Sequence, residues 1–212
     1  MRTTLVVIRH GQTEWNVAGR IQGHGDSPLT ALGVHQARAM AGRLASESFD
    51  AILFSDLGRA RRTAELLVPH GVANIRFHEG LRERAFGIAE GGSYAQIAGQ
   101  HPEMFSRERE TDPHYAPDGG ESRQQHLDRV RATFLGIADA HAGRRVLVVT
   151  HGGVLSCLYR WLHGIPAAAP HPIDIPNVGY NRLVTEAGDW RVEVWGDVAH
   201  LDGLDVTVTD GS

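Results

Sequence analysis

One cysteine in 212 residues, Cys157, leaves no material for a disulfide framework or a cysteine-rich metal site. It lies in an apolar stretch and reads as a small buried hydrophobe. Long hydrophobic runs are lacking too: nothing approaches the ~18 consecutive apolar residues of a membrane span, so no membrane partner is expected. The first apolar run, Leu5-Val6-Val7-Ile8, is too short for a signal peptide and lacks a cleavage-site pattern, which makes the cytoplasm the default location. Positive charge is in short supply, with 21 Lys+Arg against 25 Asp+Glu, a formal charge of −4 and a pI near 6.3. An extended basic face for nucleic acid is therefore not expected, although the same balance allows a small cationic pocket. No internal repeat or low-complexity segment stands out.

What is present is enough for a core, since apolar residues make up 42% of the chain. Leu5–Ile8 reads as a buried central strand, with further strands at Ala51–Phe54 and Val146–Val149. Leu183-Val184 and the alternating Arg191–Trp195 read as later, more exposed strands. Helical spacing runs from Val34 to Leu44 and from Leu127 to His141, where Ser122 with Gln125 fits a capping box. A shorter helix is expected over Leu57–Leu67, closed by Pro69. Strands alternating with helices predict an α/β fold, a three-layer α/β/α sandwich with a mostly parallel sheet. Residues 86–120 break the alternation with glycines and prolines and a modest helical candidate over Ser93–Arg109. They are expected to form a small inserted cap within a single domain spanning 1–212.

In such folds ligands gather where the strands' C-terminal ends meet loops. Arg9-His10-Gly11 follows the first strand, Ser55-Asp56-Leu57-Gly58-Arg59 the second and Thr150-His151-Gly152-Gly153 the third. Glu83 lies at the mouth of the cap. These motifs, with Gln22-Gly23, Ser27-Pro28-Leu29-Thr30 and Gly119-Gly120-Glu121-Ser122, run in order along the chain. The whole chain resembles the histidine phosphatase superfamily, in the branch of cofactor-dependent phosphoglycerate mutases and their phosphatase relatives. Those relatives often carry Trp just before the Glu-Gly that follows the acid loop; here Ala89 precedes Glu90-Gly91.

The chemistry can be reasoned beside the resemblance. Guanidinium groups bind phosphate oxygens with paired, charge-assisted bonds, which suits Arg9 and Arg59. A protonated His151 would add a donor, and the helix opened by Gly152 would favour an anion at its N-terminus. His10 is the expected nucleophile, kept neutral by the arginines, with Gly11 allowing close backbone approach. Glu83 is the expected general acid, held protonated by a bound phosphate dianion, and its carboxylate then activates water. The resemblance further implies that Asn16, Gln22 and Gly23 line the pocket; Arg61 and Arg82 are weaker candidates. Each residue also has a plain reading: Arg59 on a solvated basic face with Arg61 and Arg62, Glu83 in a surface pair with Arg82 or Arg84, His151 as a core or capping histidine. Histidines 70, 101, 114, 163 and 171 are assigned no role.

No metal is expected, because arginines and histidines already neutralise the phosphoryl oxygens and no His-Glu-x-x-His motif occurs. The expected activity is a phosphatase acting on small phosphate monoesters and releasing inorganic phosphate. A phosphoglycerate mutase, using 2,3-bisphosphoglycerate as cofactor, is the alternative, and a silent phospholigand-binding protein is a further one. The resemblance implies a longer cap with paired basic residues and an extended tail in true mutases; here the short cap, whose obvious cations are Arg107 and Arg109, and the acidic tail from Asp202 to Ser212 favour water as acceptor. Trp15, Phe86 and Tyr94 would form an apolar wall, and a homodimer is kept open.

Overall fold

The first strand sets the architecture. β1 (Thr3–Arg9) has Leu5, Val6, Val7 and Ile8 all fully buried, so both its faces must be covered. The computed structural model describes residues 1–68, 75–170 and 173–204. After β1 come the short α1 (Glu14–Val17), then α2 (Ala31–Leu44), β2 (Ala51–Phe54), α3 (Gly58–Leu67) and β3 (Ile75–Phe77). The segment after Glu83 holds α4 (Tyr94–Gln100) and α5 (Arg107–Thr111). Next come α6 (Arg123–Ala140), β4 (Arg145–Thr150), α7 (Gly152–His163), β5 (Tyr180–Glu186) and β6 (Asp189–Asp197).

The sheet order is β3-β2-β4-β1-β5-β6. The first four strands run parallel, while β5 and β6 are antiparallel additions at one edge. Side chains alternate across the sheet. Leu5 and Val7 pack with Val130 and Phe134 of α6 and Leu155 and Leu158 of α7. Val6 and Ile8 pack on the other face with Met40 and Leu44 of α2 and Ala60, Ala64 and Leu67 of α3. This is the three-layer α/β/α sandwich the alternation predicted.

Four local features depart from the sequence reading, the first being Leu183 and Val184, which are fully buried in β5 rather than exposed. β3 escaped it because it is a three-residue edge strand with every residue exposed, which gives no burial pattern to read. The helical candidate over Ser93–Arg109 is interrupted by a 3-10 turn at Pro102–Phe105, since proline cannot continue the hydrogen-bond ladder of α4. α1 was not anticipated; it is started by a capping box between Thr13 and Asn16. The expected box between Ser122 and Gln125 opens α6. Pro69, His70, His171 and the tail from 205 onward lie outside the described residues, as does the Arg107 side chain.

Because β2, β4 and β1 are neighbours, their C-terminal ends deliver Ser55, His151 and His10 to one place. Backbone contact fixes the loop after β1. A Cβ on Gly33 would lie 2.1 Å from the Gln12 carbonyl oxygen, and one on Gly11 would lie 2.6 Å from the Gly33 carbonyl oxygen. Only glycines let the start of α2 press so closely on the His10 loop. On the opposite side, Ile21, Ala89 and Ile97 form a small separate core that ties α4 to the loop after α1.

Candidate active site

A cavity of about 760 Å³ opens at these strand ends. Arg9, His10, Arg59, Glu83 and Gly152 line it, with Asn16, Gln22 and Gly23 on its wall. The chain contains no lysine, so every positive side chain available to the site is an arginine.

His10 is 2% exposed and hangs from a rigid backbone. Its N–H donates to the Thr150 carbonyl at 2.9 Å, and Asn177 Nδ2 donates to its carbonyl at 2.9 Å. The Gly11 N–H donates to Thr63 Oγ1 at 3.0 Å. His10 Nδ1 lies 2.8 Å from the Gly11 carbonyl oxygen. A carbonyl only accepts, so Nδ1 carries the proton and Nε2 keeps its lone pair. Burial, then the charges of Arg59 and Arg9, hold the imidazole's proton affinity well below its ordinary range despite that bond. The ring is neutral, with a free nitrogen among cations.

Arg59 is 2% exposed. Its NH1 donates to the Gly25 carbonyl and its NH2 to the Gly23 carbonyl, each at 2.8 Å, and Asp26 lies 3.3 Å from NH1. Its buried Nε has no hydrogen-bond partner. Arg9 NH1 donates to the Ile175 carbonyl at 2.6 Å, which turns this guanidinium across the start of α7. A Cβ on Gly152 would sit 3.3 Å from Arg9 Nε, so glycine keeps that passage open.

His151 is fully buried, with its ring centroid 5.3 Å from that of His10. Its Nε2 lies 2.7 Å from Ser55 Oγ, and its buried Nδ1 has no partner. Burial, Arg59, His10 and Arg9 all push its proton affinity well down. Such a ring is neutral and carries a single N–H, so it can donate without the protonation that the sequence reading made a condition. Ser55 Oγ also accepts the Leu57 N–H at 3.4 Å.

Glu83 faces this group from the loop before the cap. Its Oε2 accepts the Gly153 N–H and its Oε1 the Arg84 N–H, both at 2.8 Å. Arg129 anchors the loop, donating to the carbonyls of Gly80, Arg82 and Glu83 at 2.9, 3.0 and 3.1 Å while both Glu121 oxygens hold its guanidinium. Glu90 fastens the facing turn by accepting from the N–H groups of His24, Gly25 and Phe86.

Two expected ligands are elsewhere. Arg61 is exposed on the outer side of α3 and pairs with Glu65 at 3.3 Å. Arg82 turns away from the cavity into a two-pronged pair with Asp56, Nε to Oδ1 at 2.7 Å, and that hydrogen bond holds the Asp56 carboxyl below its usual range. Of the cap's cations, Arg109 is occupied by Tyr115, whose ring centroid lies 4.7 Å from it. Sequence reasoning passed over Arg84, Arg123, His126 and Asn177, all of which line the cavity. Among the described residues no group of three His, Cys, Asp or Glu side chains is placed to hold a metal, and no helix is long and apolar enough to cross a membrane.

The family model described as histidine phosphatase superfamily (branch 1) matches residues 5–198. The "Probable phosphoglycerate mutase GpmB" of Photorhabdus laumondii is 37% identical over 201 residues, covering 92% of this chain and 94% of that relative. Among solved structures, Bacillus stearothermophilus YhfR is similar with a TM-score of 0.87 and 36% identity, covering 94% of this chain and 99% of that one. The alpha-ribazole phosphatase of Shigella flexneri matches with a TM-score of 0.84 and 30% identity, covering 93% and 96% of the two chains.

Proposed function

This chain belongs to branch 1 of the histidine phosphatase superfamily, and from that premise we propose that it hydrolyses phosphate monoesters through a phosphohistidine on His10. The observation that carries the proposal is the neutral His10 ring, with Nδ1 tied to Gly11 and Nε2 unprotonated, beside Arg9 and Arg59. Arg9 and the buried Arg59 Nε–H supply donors for the phosphoryl oxygens, and His151, packed beside His10 with its Nδ1 unpartnered, adds one when Nδ1 carries the ring's proton. His10 Nε2 attacks phosphorus as the ester P–O bond breaks, and Glu83 passes its proton to the departing oxygen. The Glu83 carboxylate then takes a proton from water, whose oxygen attacks the phosphohistidine and frees His10 with inorganic phosphate.

The alcohol occupies the rest of the cavity, where Trp15, Phe86, Tyr94, Leu127 and Ile175 supply apolar wall and residues 86–120 act as the cap. A cavity of about 760 Å³ admits an alcohol much larger than glycerate. The Shigella flexneri relative, a phosphatase by name, supports water as acceptor. The mutase reading keeps a specific observation in its favour: Arg84 and Arg123 also line the cavity and would meet an acidic alcohol.

The test is hydrolysis of p-nitrophenyl phosphate in EDTA, with a parallel assay of 3- to 2-phosphoglycerate conversion. Metal-free turnover that vanishes in His10→Ala, with acid-labile phosphate trapped on the wild-type chain, is expected. Vanadate, which mimics the five-coordinate phosphorus, should inhibit. Turnover surviving in His10→Ala overturns the proposal, and conversion outpacing phosphate release selects the mutase.

A further inference from the structure

Behind Glu83 lies a buried imidazole that this reaction scheme leaves without a task. His126, in the first turn of α6, is 3% exposed and lines the cavity. Its Nε2 is buried without a hydrogen-bond partner, 3.9 Å from Glu83 Oε1. On its other side, Nδ1 lies 3.5 Å from Sγ of Cys157 on α7. Two helices and the acid loop thus bring a carboxyl, an imidazole and a thiol into one row.

We propose that His126 is a positioning residue for Glu83: backed by Cys157, its neutral ring presents the Nε2 lone pair to Oε1 and accepts from the carboxylic acid until the leaving oxygen of the bound ester takes that proton. The inference rests on the reading of Glu83 as general acid.

The donor inventory around Glu83 gives the reason. Its two close partners, the N–H groups of Gly153 and Arg84, can only donate, so they serve the carboxylate left after proton transfer. Neither can accept from the acid that exists before transfer. Nε2 of His126 can, provided its ring is neutral and its proton sits on Nδ1. Burial, then Arg129, Arg84 and His24, keep the ring neutral. Burial and the nearby Glu83 push the Cys157 thiol up to about 12, so it stays S–H and cannot take the imidazole proton. An imidazole N–H is a better donor than a thiol, and the pair is best made by Nδ1–H donating to Sγ. The lone pair then faces Glu83. A shift of about 1 Å closes 3.9 Å to hydrogen-bond length once Oε1 carries a proton.

The other charged and titratable groups around the pair do not compete for that proton. His24 Nε2 bonds to the Glu83 main-chain carbonyl at 3.0 Å, and Arg129 is shared between that carbonyl and Glu121. Arg59 approaches from α3, where Gly23, Gly25 and Asp26 hold it. His10 and His151, at the ends of β1 and β4, are both neutral. No proton is gained or lost by His126 in the cycle; the proton given to the alkoxide is the one Glu83 later recovers from water.

The test compares β-glycerol phosphate, whose alkoxide needs a proton, with p-nitrophenyl phosphate, whose phenolate does not. His126→Phe should lower kcat on the glycerol ester about tenfold more than on the nitrophenyl ester and displace the basic limb of its kcat–pH profile. His126→Gln, which restores a polar acceptor, should recover most of the loss, and Cys157→Ala should change the ester ratio in the same direction. The Cys157 variant is a small truncation that keeps the test open if His126→Phe fails to fold. Equal losses on both esters with an unmoved pH limb overturn the inference. Failure of the underlying reading shows separately, as equal losses of kcat/KM, which reports the phosphorylation step alone, on both esters in Glu83→Gln.

Discussion

Gly153→Ala should separate activity from stability. Gly153 is the second residue of α7, and its N–H holds Glu83 Oε2 at 2.8 Å. A Cβ built there would lie 2.0 Å from Oε1, 2.9 Å from Cδ and 3.1 Å from the Cε1 of His126. The carboxyl must retreat by about 1.4 Å to regain ordinary van der Waals distance. It is the far end of a flexible side chain, so the side chain moves and the backbone stays. Misplacing an acid by that distance costs about 10² in rate, or about 2.7 kcal/mol of transition-state stabilisation. Meanwhile alanine relieves the entropy cost of glycine in a helix, worth at most about 0.5–1 kcal/mol. The expected variant has an unchanged or slightly higher Tm and a kcat on β-glycerol phosphate lowered about 100-fold, with p-nitrophenyl phosphate less affected. Steady-state kinetics beside a thermal melt decide it. Wild-type turnover of the glycerol ester would refute the placement of Glu83, and a large fall in Tm would show that the backbone, not the carboxyl, yields.

Three buried histidines make stability depend on acidity. His10, His126 and His151 each bind protons less readily in the fold than in the unfolded chain, mainly through burial. Their contribution is therefore complete above the unfolded value of about 6.5 and is lost as pH falls below it, at up to about 1.4 kcal/mol per pH unit for each ring. Denaturant melts between pH 7.5 and 5 should show that slope, and a flat profile would mean the rings are protonated in the fold. Arg129→Met strands the Glu121 carboxylate and three carbonyls of the acid loop, and should cost about 2–3 kcal/mol in a urea titration. An Arg129→Met melt matching wild type would remove Arg129 as the anchor of Glu83.

What the sequence disclosed and what it withheld follow from the range of the interactions involved. β1, β2 and β4 were legible because a strand buried on both faces needs an unbroken apolar run. The same runs pointed to His10 and His151, each following directly on its strand. Arg59 and Arg61 are chemically alike and two residues apart, yet one is buried and one exposed, because two residues turn a helix by about 200°. The clue was local: Arg59, Thr63 and Leu67 share the face of α3 that packs inward. Arg82 could not be judged that way, since the partner that draws it off is Asp56, far away along the chain.

His126 carried a clue of the kind that betrays Arg59. It stands four residues before Val130 and eight before Phe134, on the buried stripe of α6, where a polar side chain needs a reason. Periodicity could mark it as buried, but not what it faced, because Glu83 and Cys157 arrive from a different loop and a different helix. The proposed nucleophile and its cations follow strand ends, whose convergence a topology rule anticipates. The proposed acid, Glu83, comes from a loop held by Arg129, Glu90 and Gly153, contacts that no repeat or spacing encodes. Variation among related sites should therefore concentrate around the acid, where a single substitution such as Gly153→Ala can reset the chemistry without disturbing the sheet.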